Sequence, residues 1–232
     1  MAHTSRAIPV DRIKLIVLDL DGTLIDSRTD LANSVNAMLT QLGRQPLPEE
    51  IIATYIGDGA GMLVRRALGD PHDEPLVEDA LNRFLEYYRE HKLDHTYVYE
   101  GVFEALDHLR NGNRQLAVLT NKPVGPAQVI CDHLGLAPYF FQIYGGNSFE
   151  TKKPDPFGLR RLLQEANAAP EEAVMIGDSD VDILTAQRAG TWAIGCLFGL
   201  SSHTLESIPA DFLAHRPLDW ITALGGPQPV SR

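Results

Sequence analysis

Two acidic clusters give this sequence its first chemical signal. Asp19-Leu20-Asp21-Gly22-Thr23 closes the apolar run Ile13-Lys14-Leu15-Ile16-Val17-Leu18, and Gly177-Asp178-Ser179-Asp180-Val181-Asp182 closes a second run from Ala173 to Ile176. Short β-rich runs bounded by Gly and Asp read as buried strands of a parallel sheet. In open α/β sheets ligands bind beyond the carboxyl ends of the strands, so both clusters are expected along one edge. Carboxylates gathered there repel one another unless a hard cation sits among them, and oxygen donors of this kind suit Mg²⁺. The expected chemistry is Mg²⁺-dependent and directed at an anionic substrate.

The individual residues suggest roles. Asp19, held at a strand end, is placed to attack phosphorus and form an aspartyl-phosphate. Asp21 lies two residues on and points the same way from an extended backbone. There it can protonate a leaving oxygen and then deprotonate an attacking water. Asp-Gly pairs are also common in plain turns, which is the alternative for this pentapeptide. Leu119-Thr120-Asn121-Lys122 ends another predicted strand. The Thr120 hydroxyl reads either as a donor to a phosphoryl oxygen or as a helix N-cap before Pro123.

Lys153, in Lys152-Lys153-Pro154-Asp155-Pro156, precedes a proline that imposes extended backbone, while Pro156 suits a first helical turn. A lysine held this way neutralises a nucleophile and a transferring phosphoryl group. The alternative, a solvated surface lysine, fits Lys152 better. Asp178 reads as a direct metal ligand, and Asp182, one helical turn further, as the group orienting metal-bound water. Asp180 reads as the cap of the helix that starts near it. No Gly-x-x-x-x-Gly-Lys-[Ser/Thr] loop, Gly-x-Ser-x-Gly elbow or zinc-ligand spacing occurs.

The elements that must position these residues follow from periodicity. Strands are expected at Leu15–Leu18, Leu116–Leu119, Gln142–Tyr144, Val174–Ile176 and Trp192–Ile194, with an edge strand at Phe212-Leu213-Ala214. Helical patterns cover Val102–Asn111, Pro126–Leu134, Pro156–Ala166 and Asp180–Ala189. This alternation predicts βαβ units and a doubly wound parallel sheet. The interval from Asp26 to about Val98 breaks it, with no convincing strand. Helical stripes there include Leu31, Val35, Met38, Leu39 and Leu42, and Leu81, Phe84, Leu85 and Tyr88. The expected organisation is a Rossmann-like α/β core over 1–25 and 99–232, with a small helical cap over 26–98. The Ile56–Gly61 loop at the start of a cap helix offers backbone N–H groups for a small carboxylate, and Arg65 follows it. Gly57 and Arg65 are therefore substrate candidates, set against a plain Gly-rich helix start with solvated arginines.

Composition bounds the rest. The 232 residues carry a net charge of −11, with 44% hydrophobic and 22% charged residues, as in ordinary soluble domains. Such acidity argues against nucleic acid or anionic membrane as partner, yet a metal ion and a few placed cations still accommodate a small phosphorylated metabolite. Cys131 and Cys196 are the only cysteines. Too few for a disulfide scaffold, they suggest a reducing, cytoplasmic compartment. Residues 1–12 lack the apolar core of a signal peptide, and Gly225-Gly226-Pro227-Gln228-Pro229 reads as a frayed tail. A monomer or homodimer is expected.

Taken in order, Asp19-x-Asp21-Gly22-Thr23, Thr120-Asn121, Lys153-Pro154-x-Pro156 and Gly177-Asp178-Ser179-x-x-Asp182 resemble the four motifs of the haloacid dehalogenase superfamily. The second aspartate of the first motif is similar to the phosphotransferase branch, and a helical insert after that motif to the family's first cap type. Leu24-Ile25-Asp26-Ser27, Gly57-Asp58-Gly59 and Gly145-Gly146-Asn147-Ser148 resemble phosphoglycolate phosphatases. The resemblance implies Asp19 as nucleophile and Mg²⁺ ligand, and Asp21 as acid/base with its backbone carbonyl on the metal. It further implies Thr120, the Asn121 backbone and Lys153 on the phosphoryl group, Asp178 as third ligand and Asp182 behind it. β-Phosphoglucomutase relatives share this core, but Ala60 stands where their cap arginine is expected. Pyrophosphatase and sugar-phosphate phosphatase relatives stay open, as does a non-catalytic binding protein on the same fold. The retained set Asp19, Asp21, Thr120, Lys153 and Asp178 counts against the last.

Overall fold

The computed structural model describes residues 7–110 and 114–225. The readings for the first six residues, for Asn111 and for the tail beyond Gly225 lie outside them. The chain runs β1 (Leu15–Leu18), β2 (Ile25–Asp26), α1 (Arg28–Gln41), α2 (Glu49–Ala53), α3 (Ala60–Ala67), α4 (Glu74–His91), β3 (Tyr97–Val98) and α5 (Val102–Arg110). It continues β4 (Gln115–Leu119), α6 (Val124–His133), β5 (Gln142–Tyr144), α7 (Phe157–Glu165), β6 (Ala173–Gly177), α8 (Asp180–Ala189), β7 (Trp192–Cys196), β8 (Phe212–Ala214) and α9 (Asp219–Ala223).

Six strands form a parallel sheet in the order β5-β4-β1-β6-β7-β8. Winding proceeds from β1 through β4 to β5, then returns to the other side of β1 and runs outward from β6. The reversal at β1 makes its carboxyl end the crevice of the fold. Leu18 stands level with Val118 of β4 and Ile176 of β6, so the loops after all three strands open at the same height.

Alternation along β1 builds two core layers. Ile16 and Leu18 join one cluster with Val102, Leu106, Ile130 and Trp220 from α5, α6 and α9. Leu15 and Val17 join the other with Leu159, Leu162, Ile183 and Ala186 from α7 and α8. With helices on both faces, the strand is apolar at every position, and each buried aliphatic side chain contributes roughly 1.5–3 kcal/mol.

A third cluster lies in the helical interval. Leu31, Val35, Met38 and Leu39 of α1 meet Phe84 and Tyr88 of α4, with Ile52, Leu63 and Val64 filling between, and Leu200 from the sheet-bearing part adds to it. The expected stripes are thus the buried ones, though Leu42, Leu81 and Leu85 are only partly covered. Asp30, buried at the start of α1, accepts hydrogen bonds from the Thr96 amide at 2.8 Å and the Thr96 hydroxyl at 2.7 Å. That contact ties the end of the helical segment back to its beginning.

The structure corrects the reading of this interval in one respect. Two strands are present at its ends: β2 and β3 pair antiparallel, Ile25 with Val98 and Asp26 with Tyr97. Two-residue strands are too short to generate a periodicity, so the boundary drawn at 25/26 and 98/99 runs through this ribbon. The short helices α2 and α9 also escaped the pattern for want of length.

Candidate active site

Asp19 follows β1 directly, and its amide donates to the Ile176 carbonyl at 2.9 Å, which pins this corner to the end of β6. Asp178 follows β6 across the crevice, and its Oδ2 accepts from the Ser201 amide at 2.8 Å. Asp182 lies in the first turn of α8. Oxygens of Asp19, Asp178 and Asp182 come within 4.8 Å of one another, and all three residues are buried. Lys153 Nζ sits among them, 2.9 Å from Asp19 Oδ1 and 2.6 Å from Asp182 Oδ1.

Gly22 explains how the two clusters approach so closely. Its φ of +81° is left-handed, and a Cβ there would fall on the Asp178 carboxylate. Only glycine admits both the turn and the contact.

The local electrostatics follow from burial and crowding. Burial lifts the Asp19 carboxyl to about 6, Lys153 opposes the rise, and Asp182 adds to it. Asp178 is raised well above its ordinary value, by burial first and then by Asp182 and Asp19. Burial acts against the charged form of Lys153, but the Asp182 and Asp19 carboxylates outweigh it and raise the lysine. One ammonium cannot balance three carboxylates in a water-poor site. Asp19 Oδ1 faces the Lys153 ammonium at 2.9 Å, a cation that it shares with Asp182. An all-oxygen donor set with this excess of negative charge fits a hard divalent cation.

Asp182 does more than stand behind Asp178. Its Oδ2 accepts from the Ser179 amide at 3.1 Å and the Ser179 hydroxyl at 2.7 Å, making a reciprocal cap of α8. The capping assigned to Asp180 therefore belongs to Ser179 and Asp182. Asp180 is the first residue inside the helix, its amide bonded to Thr204 Oγ1 at 2.9 Å. Thr120 is not a helix cap either, because α6 begins at Val124 with Pro123 before it. Its hydroxyl instead accepts from the Lys122 amide at 3.2 Å.

Asp21 turns to a partner that sequence reasoning missed. Lys122 Nζ donates to Asp21 Oδ1 at 2.8 Å and Oδ2 at 2.9 Å, while Ser27 Oγ donates to Oδ1 at 2.5 Å. The ammonium also lies 4.9 Å from the centre of the Tyr88 ring, contributed by α4. A lysine directly after Thr-Asn at a strand end was the available signal, but nothing in the sequence told it from a surface cation.

A cavity separates these groups from the helical segment. Asp19, Asp21, Thr120, Asn121 and Lys122 line it from below, and Leu31, Leu63, Phe84 and Tyr88 from above. Lys153, Asp178 and Asp182 are not among its lining residues; Lys153 and Asp182 are joined to it through the Asp19 ion pair. The Ile56–Asp58 loop closes one side through three successive carbonyls. Ser201 Oγ donates to Ile56 at 2.8 Å, Asn121 Nδ2 to Gly57 at 3.1 Å, and Lys152 Nζ to Asp58 at 2.6 Å. Asn121 Nδ2 also reaches the Lys153 carbonyl at 3.1 Å. Lys152, exposed as expected, also holds the loop.

Gly57 lines the cavity, but Arg65 does not. Arg65 donates to the Pro71 carbonyl at 2.8 Å and to Glu74 at 2.6 Å, bracing the turn between α3 and α4. The expectation that it meets substrate is corrected: α3 directs it away from the crevice.

Residues 16–196 match the haloacid dehalogenase-like hydrolase family, and the chain belongs to that family. A phosphoglycolate phosphatase of Chromobacterium violaceum is 42% identical over 191 residues, covering 81% of this chain and 86% of its own length. One from Neisseria meningitidis is 39% identical over 216 residues, covering 91% of this chain and 90% of its own. The crystal structure of a predicted phosphoglycolate phosphatase from Haemophilus somnus superposes with a TM-score of 0.84 at 31% identity, covering 91% of this chain and 97% of that one.

Proposed function

We propose that this protein is a Mg²⁺-dependent phosphatase of small phosphate monoesters, with 2-phosphoglycolate as its substrate, hydrolysed to glycolate and phosphate. The observation carrying the reading is the buried set of Asp19, Asp178 and Asp182 around Lys153 at the carboxyl ends of β1 and β6. The substrate follows from relatives named for that activity at about 40% identity over most of the chain.

Asp19, Asp178 and the Asp21 backbone carbonyl would hold Mg²⁺, which supplies charge neutralisation for the phosphoryl group. The Asp19 carboxylate oxygen attacks phosphorus as the ester P–O bond breaks, and Asp21 gives its proton to the departing alkoxide. Asp21 then takes a proton from a water whose oxygen attacks the same phosphorus, releasing phosphate and restoring Asp19. Thr120, the Asn121 amide and Lys153 hold the phosphoryl oxygens through both steps. Positioning and charge neutralisation supply most of the acceleration in such reactions.

The helices of 26–98 act as a cap, excluding water during the first step and admitting it for the second. Among the described residues no helix is long and apolar enough to cross a membrane. The buried thiols of Cys131 and Cys196 suit a reducing cytoplasm.

The test is phosphate release from a panel of 2-phosphoglycolate, sugar phosphates and pyrophosphate, with Mg²⁺ and with EDTA. The highest kcat/KM is expected for 2-phosphoglycolate, with turnover abolished by the chelator and restored by Mg²⁺. A faster sugar phosphate or pyrophosphate would overturn the substrate, and metal-independent turnover would overturn the ligand set.

A further inference from the structure

Any part of a substrate beyond its phosphoryl group must extend from the floor of the cavity towards the helices. The walls met there are mostly apolar: Leu31 from α1, Leu63 from α3, Phe84, Leu85 and Tyr88 from α4. An anion placed against such walls without a partner is strongly disfavoured. Among the described residues lining the cavity, Lys122 is the one lysine or arginine. The acids Asp19 and Asp21 are the other charged residues there, and they repel an anion.

Lys122 is also tied to the reacting groups by short links. Its amide is bonded to Thr120 Oγ1 at 3.2 Å, so the two residues share one tight turn. Its ammonium reaches back to both oxygens of Asp21, two residues past Asp19. These contacts, at 2.8 and 2.9 Å, hold the ammonium in place beside Asp21. The Tyr88 ring, 4.9 Å away, backs the cation from the helical segment. A second carboxylate arriving from the cavity therefore finds a donor whose position is fixed.

We infer that Lys122 is a specificity-determining residue, binding a carboxylate carried by the substrate on a short tether from its phosphoryl group. This inference rests on the phosphatase reading and deepens it. The substrate class is phosphorylated short hydroxy acids, and the discriminating contact is made by the loop after β4, with Tyr88 of the helical segment backing it.

The test compares 2-phosphoglycolate with ethyl phosphate, the two-carbon ester that lacks the carboxylate, both with Mg²⁺. The wild-type protein is expected to favour 2-phosphoglycolate in kcat/KM by about tenfold or more, since a site that pairs a polar group discriminates against an analogue lacking it. Lys122→Met should bring the ratio close to one, and Lys122→Arg should keep much of it. An equal loss on both esters in Lys122→Met would make the residue a support for Asp21 only, and would overturn the inference. Should Lys122→Met not fold, the wild-type ratio and Lys122→Arg decide: no wild-type preference overturns the inference, and a preference that survives in Lys122→Arg supports it. Failure of the wild-type protein to release phosphate from either ester or from p-nitrophenyl phosphate would sink the phosphatase reading as well. Hydrolysis of both without preference would sink this inference alone.

Discussion

Lys153 crosses from the segment before α7 to lie 2.9 Å from the Asp19 carboxylate. The pair joins two loops far apart in sequence, and the lysine opposes the rise that burial imposes on Asp19. Removing it would leave Asp19 and Asp182 buried without their cation. Lys153→Met is expected to lower kcat by roughly 10³-fold or more and to destabilise the fold by about 3–5 kcal/mol. Turnover and urea denaturation check the two effects separately. Asp19→Asn should lose turnover to the same degree while Lys153 keeps Asp182, so its stability should fall much less. Near-wild-type turnover in Asp19→Asn would remove it as nucleophile.

A metal held by the proposed ligands would compete with protons for the same carboxylates. Asp19 in the folded protein holds its proton to about 6, against 3.8 ordinarily. The unfolded chain releases that proton first, so this group lowers stability as pH rises between those values, and the loss persists at neutral pH. A cation that binds the ionised site reverses the deficit. Mg²⁺ is expected to raise the melting temperature clearly at about pH 7.5 and little at about pH 5, where protonated Asp19 is a poor ligand. Thermal melts with Mg²⁺ and EDTA at both pH values read the difference directly, and an equal rise at both would contradict the assigned ligands.

At Gly22 backbone conformation and ligand geometry meet. Gly22→Ala adds a methyl against the Asp178 carboxylate at a φ of +81°. The strained backbone alone is expected to cost about 1–3 kcal/mol. Displacing Asp178 should also abolish the Mg²⁺-dependent rise in melting temperature. Retention of the full rise would mean that Asp178 is not a ligand.

The three carbonyls of Ile56, Gly57 and Asp58 make a further test possible. Lys152→Ala with Ser201→Ala removes two of their donors and leaves Asn121 in place. Amide exchange across 56–61 is expected to accelerate about tenfold, with KM raised several-fold and kcat changed less. Unchanged exchange would show that these bonds do not hold the loop.

Much of this arrangement was legible in sequence because its determinants are local. Aliphatic runs ending in Asp fixed β1 and β6, and a parallel sheet brings such ends together whatever lies between. The four motif positions could therefore be named without coordinates. What stayed hidden depends on contacts between distant segments. Lys122 pairs with Asp21 and Tyr88 only once β4 stands beside β1, and Lys152 meets Asp58 only once α3 is docked. Arg65 shows the converse: its proximity in sequence to Gly57 suggested a shared task, yet helical geometry turns it towards Glu74. The cap of α8 was misread because Ser179, Asp180 and Asp182 are all suitable residue types, and only the backbone bonds distinguish them.

The ribbon of Ile25–Asp26 against Tyr97–Val98 has an architectural consequence. Departure and return points of the intervening polypeptide stand one strand spacing apart, about 5 Å. A short reverse turn could bridge that gap, and so could an unrelated insertion of any length with neighbouring ends. Whatever selectivity the helices add is thereby separable from the groups carried by the sheet, Lys122 among them. Exchanging residues 27–96 between relatives offers a route to new ester preferences without redesigning the acidic centre.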